Sequence, residues 1–171
     1  MKEISFQNDI LQLKNELFRL ALRITQNRVE AEDVVQETLI KVWKRRDDWG
    51  TIESIEAFCF TICRNLALDK QRHLGNHVQS LDGTIDPTDH SHSANPEEQI
   101  VQRDRLRLVR QLIDQLPEKQ RSCMQLRDME GKSYRDIAAI MGITEEQVKV
   151  NIFRARQTVR ERFQKVEEME K

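Results

Sequence analysis

Residues 133–156 read SYRDIAAIMGITEEQVKVNIFRAR, and the fold turns on how this stretch is parsed. Ser133 followed three residues later by Asp136 has the form of a helix cap, because a serine oxygen accepts a backbone N–H in the first turn. Ile137, Ala138, Ile140 and Met141 then recur at helical spacing toward a core. Gly142 supplies the turn, and Thr144 with Gln147 has the capping-box form that starts the next helix. Gly131 and Gly142 therefore bracket a helix of about ten residues, followed by a tight turn and a long helix. That is how a recognition helix is presented to a DNA major groove.

The long helix carries a second signal. At 100° per residue, Val148, Ile152, Ala155, Val159 and Phe163 share a narrow arc and form the buried stripe. The opposite side shows Gln147, Lys149, Val150, Phe153, Arg154, Gln157 and Arg160. A major groove offers thymine methyls to apolar groups, guanine acceptors to arginine, and paired donor and acceptor groups on adenine to glutamine. Val150 and Phe153 among Gln147, Lys149 and Arg154 match that mixture, with Arg156, Arg160 and Arg162 beyond them for phosphates. A second reading packs Val150 and Phe153 against another part of the chain and leaves the arginines solvated.

Charge localises the same feature. The 171 residues sum to −1, yet residues 149–165 hold Lys149, Arg154, Arg156, Arg160, Arg162 and Lys165 against Glu161 alone, a basic face on a nearly neutral protein. Residues 76–97, NHVQSLDGTIDPTDHSHSANPE, carry four acids, no lysine or arginine, and almost no periodic apolar positions. Such a composition cannot build a core, so it reads as an acidic flexible linker between a domain at 1–75 and another at 98–171. One charged residue in three, scarce aromatics and five glycines fit an all-α protein of two small helical domains.

In the first half, Ile10, Leu13, Leu17, Leu20, Ala21 and Ile24 mark one helix, and Glu30 to Lys44 a second with Val35, Leu39 and Val42 inward. Ile55, Phe58, Ile62, Cys63 and Leu66 mark a third, reaching about Arg72. In the second half a helix runs from Ile100 to Leu116, and Pro117 opens another at its first turn, through about Met129. On the second helix Asp33, Gln36, Glu37 and Ile40 lie close by angle, with Trp43 at their edge. Two readings stand: a surface for a partner protein, or a Trp43 folded back onto its own domain. On the third, Phe58 and Phe60 precede Arg64, Asn65, Lys70 and Arg72, beside a polar loop at Asp47 to Glu53. Aromatics that stack on unpaired bases and cations that track a strand are the physics of single-strand capture, with Phe58 on the inward stripe and Phe60 less so.

The run LPEKQRSCMQLRDMEGKSYRDIAAIMGITEEQVKVNIFRARQTVRERF resembles domain 4 of bacterial sigma factors, in particular the extracytoplasmic function (ECF) group of the sigma-70 family. AEDVVQETLIKVWKR and FCFTICRNLALDKQR resemble that family's domain 2. The resemblance implies a factor that binds core RNA polymerase and directs it to promoter DNA. Gln147, Lys149, Val150, Phe153, Arg154, Arg156 and Arg160 would contact the −35 element. Phe60, Arg64, Asn65, Lys70 and Arg72 would read and melt the −10 element, where a base is extruded into a pocket formed partly by the 47–53 loop. Asp33, Gln36, Glu37 and Trp43 would dock to the coiled coil of the beta-prime subunit. Phe58 stands where the family often has tryptophan. The acidic linker would run through the polymerase interior, and an anti-sigma factor is the implied regulatory partner.

Other signals lead elsewhere or nowhere. His90 and His92, with His73 and His77, lack the fixed spacing of a zinc site, so no metal or cofactor is expected. Cys59, Cys63 and Cys123 read as reduced, buried thiols. No catalytic constellation appears, which points away from an enzyme. Without an apolar span or the basic start and apolar core of a secretion signal, the expected location is the cytoplasm with no membrane insertion. Two rival functions remain: a stand-alone DNA-binding regulator that never needs polymerase, and an adaptor whose helix-turn-helix has lost DNA contact.

Overall fold

The computed structural model describes residues 3–74 and 96–170, and every regular element among them is helical. The helices are α1 Lys14–Thr25, α2 Arg28–Lys44, α3 Ile55–Leu74, α4 Pro96–Asp114, α5 Glu118–Met124, α6 Tyr134–Met141 and α7 Glu145–Met169. Residues 76–95 of the expected linker lie outside the described residues. Its last two, Pro96 and Glu97, open α4. Proline suits a first helical position because its missing N–H would be unpaired there, and Glu97 and Glu98 favour the positive end of the helix.

Local chemistry accounts for most boundaries. Asn27 caps α2 through its side chain, which accepts from the Glu30 N–H at 3.0 Å. The expected single first helix begins instead as a π turn at Phe6–Ile10 and a 3-10 turn at Leu11–Leu13 before α1. Pro117 sits at the cap position of α5 with extended ψ, and the expected helix to Met129 ends in a π turn at Gln125–Met129. Gly131 and Gly142 both take φ +68°, the left-handed conformation the bracketed helix requires. Ser133 accepts from the Asp136 N–H at 3.0 Å, and the Thr144–Gln147 capping box forms with both bonds in place.

In the first half α1, α2 and α3 pack mutually around Leu17, Leu20, Ile24, Val34, Val42 and Cys63. In the second, Leu112, Ile113, Leu116 and Met124 close over Ala155 and Val159 of α7, while Val148 and Ile152 join α6. The halves are not held apart: α3 packs against α6 and α1 against α5, and one apolar cluster runs across the seam.

That seam overturns the expected face of α3. Its buried positions are Ala57, Cys59, Phe60, Cys63, Arg64 and Ala67, whereas Ile55, Phe58, Ile62 and Leu66 are only half-buried. The sequence reading gave α3 one covered face; in the structure a second face lies under α6. The 47–53 segment is also less loop-like than expected. Arg46–Thr51 forms a 3-10 helix whose Trp49 is buried and donates Nε1–H to the Val42 carbonyl at 3.0 Å.

The three cysteines are free and buried. Burial pushes the Cys59 and Cys63 thiols up to about 12 and Cys123 up to about 11. Because these folded values lie above the value of roughly 8.5 for an unfolded thiol, the thiols stabilise the fold at neutral pH, and that contribution is lost as pH rises toward them. Urea midpoints should therefore hold steady through pH 8 and fall progressively above pH 9. At pH 8 a thiol-disulfide indicator should label the native protein only at its opening rate, with full labelling in denaturant.

Candidate nucleic-acid interface and docking face

On α7 the stripe expected inward is inward: Val148, Ile152, Ala155 and Val159 are buried and Phe163 is half-buried. The opposite side is free, with Phe153 67 % and Val150 44 % exposed. These values exclude the reading that tucks both side chains into the fold. Arg154 and Arg160 are exposed and make no ion pair among the described residues. Lys149 holds Glu146 at 3.8 Å and lies 5.6 Å above the Tyr134 ring, whose other neighbour is the Arg127 guanidinium at 4.3 Å. A shallow pocket lined by Tyr134, Lys149, Phe153, Arg156 and Arg160 runs along this face.

Two of the expected −35 contacts are already engaged. The Gln147 side-chain Oε1 accepts the Thr144 N–H at 3.0 Å, so one of its lone pairs serves the helix cap while its amide N–H groups stay available for a base. Arg156 grips Asp128 with two bonds, Nε at 3.0 Å and Nη2, and this pairing raises its pKa. The planar fork is thereby directed at a carboxylate of its own chain rather than at a phosphate. Tyr134 and Asp128 set the poses of Lys149 and Arg156, and the sequence reading missed both. The signal was there in Tyr134, an aromatic directly after a helix cap.

On α3 the expected −10 residues divide. Asn65 and Arg72 are exposed, whereas Phe60 is fully buried beneath the Lys132 ammonium, 5.0 Å from its ring. Arg64 is 8 % exposed and bidentate to Glu118, with bonds of 3.1 and 3.0 Å. Lys70 donates to Asp33 at 2.6 Å and lies 3.6 Å from Glu30; the bond to Asp33 raises its pKa. One residue expected to bind DNA thus pairs with one expected to bind polymerase.

The outer face of α2 presents Gln36 exposed, Asp33 and Glu37 half-buried, and Ile40 53 % and Trp43 47 % exposed. Trp43 is folded back onto its own domain along one side and open to solvent along the other. One side of its ring packs edge-on to Phe6 at 5.2 Å and Trp49 at 6.2 Å, and Arg46 lies over it at 4.8 Å. Beside this face a groove of about 600 Å³ opens between α1, α2 and α4, floored by Phe18, Leu22, Val35, Leu39, Leu106 and Val109. Among the described residues no group of His, Cys, Asp or Glu is placed to hold a metal ion, and no helix is long and apolar enough to cross a membrane. His90 and His92 lie outside the described residues.

Comparison with known proteins follows the same division. Residues 10–76 match the family model for Sigma-70 region 2, and residues 106–159 match that for Sigma-70, region 4. Over 145 residues the chain is 33 % identical to the ECF RNA polymerase sigma factor SigL of Mycobacterium tuberculosis, covering 84 % of this chain and 80 % of that one. It is 32 % identical over 152 residues to the ECF RNA polymerase sigma factor EcfG of Rhodopseudomonas palustris, covering 89 % and 81 %. Among solved structures, the sigma factor RpoE of Bartonella quintana, in complex with the anti-sigma factor NepR, aligns with TM-score 0.75 and 27 % identity over 94 % of this chain and 97 % of that one.

Proposed function

Because the chain belongs to the ECF group of the sigma-70 family, whose members direct core RNA polymerase to promoters, we propose a division of that work among its own residues. The outer face of α7 reads the −35 element, with Arg154, Val150 and Phe153 against base edges and Arg160 on the backbone. Asn65 and Arg72, joined by Phe60, Arg64 and Lys70 once these are uncovered, hold the −10 strand. Asp33, Gln36, Glu37 and Trp43 dock to the beta-prime coiled coil. The protein contributes binding and positioning, with no reaction of its own, and acts in the cytoplasm where polymerase and promoter meet. The apolar groove between α2 and α4 suits an amphipathic helix of an anti-sigma factor, the kind of partner held by the Bartonella relative.

A single observation carries the −35 assignment: two large apolar side chains stand in solvent between cations on a helix whose opposite stripe is buried. Burying them in a groove lined by thymine methyls gains what exposure forfeits. The test is run-off transcription with core polymerase from a randomised promoter library. Arg154→Ala should relax selection at one −35 position, with a change of about 1–3 kcal/mol in discrimination. Arg160→Ala should weaken all promoters alike and lower the slope of log K against log salt by about 1. Unchanged selection at every −35 position in Arg154→Ala rules out its base-reading role.

A further inference from the structure

We propose that Asp128 limits how tightly the chain holds duplex DNA irrespective of sequence, by keeping Arg156 off the phosphates. This rests on the −35 assignment of α7 above. Lys149, Phe153, Arg156 and Arg160 recur at spacings of four, three and four, so they share one face of α7 and line the same pocket. By position alone Arg156 would add a phosphate contact beside Arg160. Its guanidinium is turned onto the Asp128 carboxylate instead, with Nε donating at 3.0 Å and Nη2 making the second bond.

The carboxylate is delivered by a fixed piece of backbone. Asp128 lies in the π turn at Gln125–Met129, where Gln125 and Leu126 are buried and their carbonyls accept the Glu130 and Lys132 N–H groups at 3.1 and 2.9 Å. Two charge-assisted bonds in fork geometry are stronger than a single-point contact. The pair is also partly shielded from solvent, with side-chain exposures of 45 % for Arg156 and 26 % for Asp128. A phosphate would have to displace both bonds and leave Asp128 unpaired, facing an anionic strand. Lys149 and Glu146 are the contrast: at 3.8 Å, with the glutamate 86 % exposed, that pair is weak enough for a phosphate to replace it. The face therefore offers Lys149 and Arg160 to the backbone and withholds Arg156. Phosphates are common to every duplex, so the withheld contact would strengthen a promoter and its competitors alike. Asp128 thereby reduces loading onto bulk DNA and leaves the base-reading group of Val150, Phe153 and Arg154 untouched.

The test titrates the full chain with two duplexes, one carrying the selected −35 sequence and one scrambled, from 50 to 200 mM salt. Asp128→Ala removes both acceptor oxygens. It should steepen the slope of log K against log salt by about 0.9 and tighten both duplexes alike, by roughly 15-fold at 50 mM and about fourfold at 200 mM. Arg156→Gln in the wild-type background should leave the slope unchanged, and Asp128→Ala with Arg156→Gln should return slope and affinity to wild-type values. An unchanged slope in Asp128→Ala overturns the proposal, as does a gain confined to one duplex. So does a drop of about 0.9 in Arg156→Gln, which would place that guanidinium on a phosphate already; this arm keeps Asp128 and decides the matter should Asp128→Ala fold poorly. Arg160→Ala without effect on either duplex would bring down the −35 assignment and the proposal together. Arg160→Ala weakening both duplexes beside an inert Asp128→Ala would confine the failure to Asp128.

Discussion

Trp49→Ala should lower the unfolding free energy by about 3–5 kcal/mol, a large share of the stability of a small domain. Two losses combine. The indole is buried against the Phe6 ring, parallel at 6.4 Å, and against Trp43, and its removal leaves a cavity between α2 and the π turn at Phe6–Ile10. The Val42 carbonyl, near the end of α2, also loses the Nε1–H donor at 3.0 Å. Trp49→Phe separates these effects: an aromatic ring remains and the donor disappears, so the cost should shrink to about 1–2 kcal/mol. Urea melts of the three proteins check this. A Trp49→Ala loss under 1 kcal/mol would mean that Trp49 does not anchor the α2–α3 connection. Because Trp49 also backs one side of Trp43, Trp49→Ala should loosen the docking face without touching an exposed residue of it.

Trp49 also shows where the sequence stopped being legible. Among Arg46, Asp47, Asp48, Gly50 and Thr51 it reads as part of a polar loop, because neither helical nor strand periodicity flags a lone inward residue in a six-residue 3-10 turn. Periodicity succeeded where one face of a helix is covered. On α7 the buried and exposed residues fall as the 100° projection requires, and the caps at Ser133 and Thr144 form through the expected atoms. It failed on α3, which is covered on two faces, so Phe60 and Phe58 exchange places in the ranking of burial. The second cover comes from the other half of the chain, and no local pattern encodes which half-domain will land there. For the same reason Arg64 read as a cation free to track a strand; its partner Glu118 is distant in sequence. The resemblance to a known family supplied the order of functions along the chain, and the physics of α7 supported its DNA-reading half independently.

Gln36→Ala combined with Ile40→Glu should reduce association with core RNA polymerase by at least about 30-fold, the equivalent of one well-buried interface anchor of about 2 kcal/mol. Ile40 is 53 % exposed and Gln36 is solvent-facing, so neither contributes much to the fold, and the thermal midpoint should move little, within about ±0.5 kcal/mol in stability. Placing a carboxylate at position 40 would bury a charge against a partner that otherwise covers an apolar side chain. Asp33→Asn is the instructive contrast, since it removes the partner of Lys70 and so perturbs the −10 side and the docking side together. Copurification with core polymerase reads the first effect, and binding of a duplex −35 fragment by the same variant reads whether α7 is intact. Loss of polymerase with duplex binding retained is the expected pattern. Retention of polymerase by the double variant would move the docking face off α2, and a wild-type chain that selects duplex sites but never copurifies would favour the stand-alone regulator. Because Gln36 also lines the groove beside Leu39, Leu106 and Val109, an inhibitor helix seated there would overlap the polymerase face. Gln36→Ala should then weaken both partners, whereas Leu106→Ala on α4 should weaken the inhibitor alone.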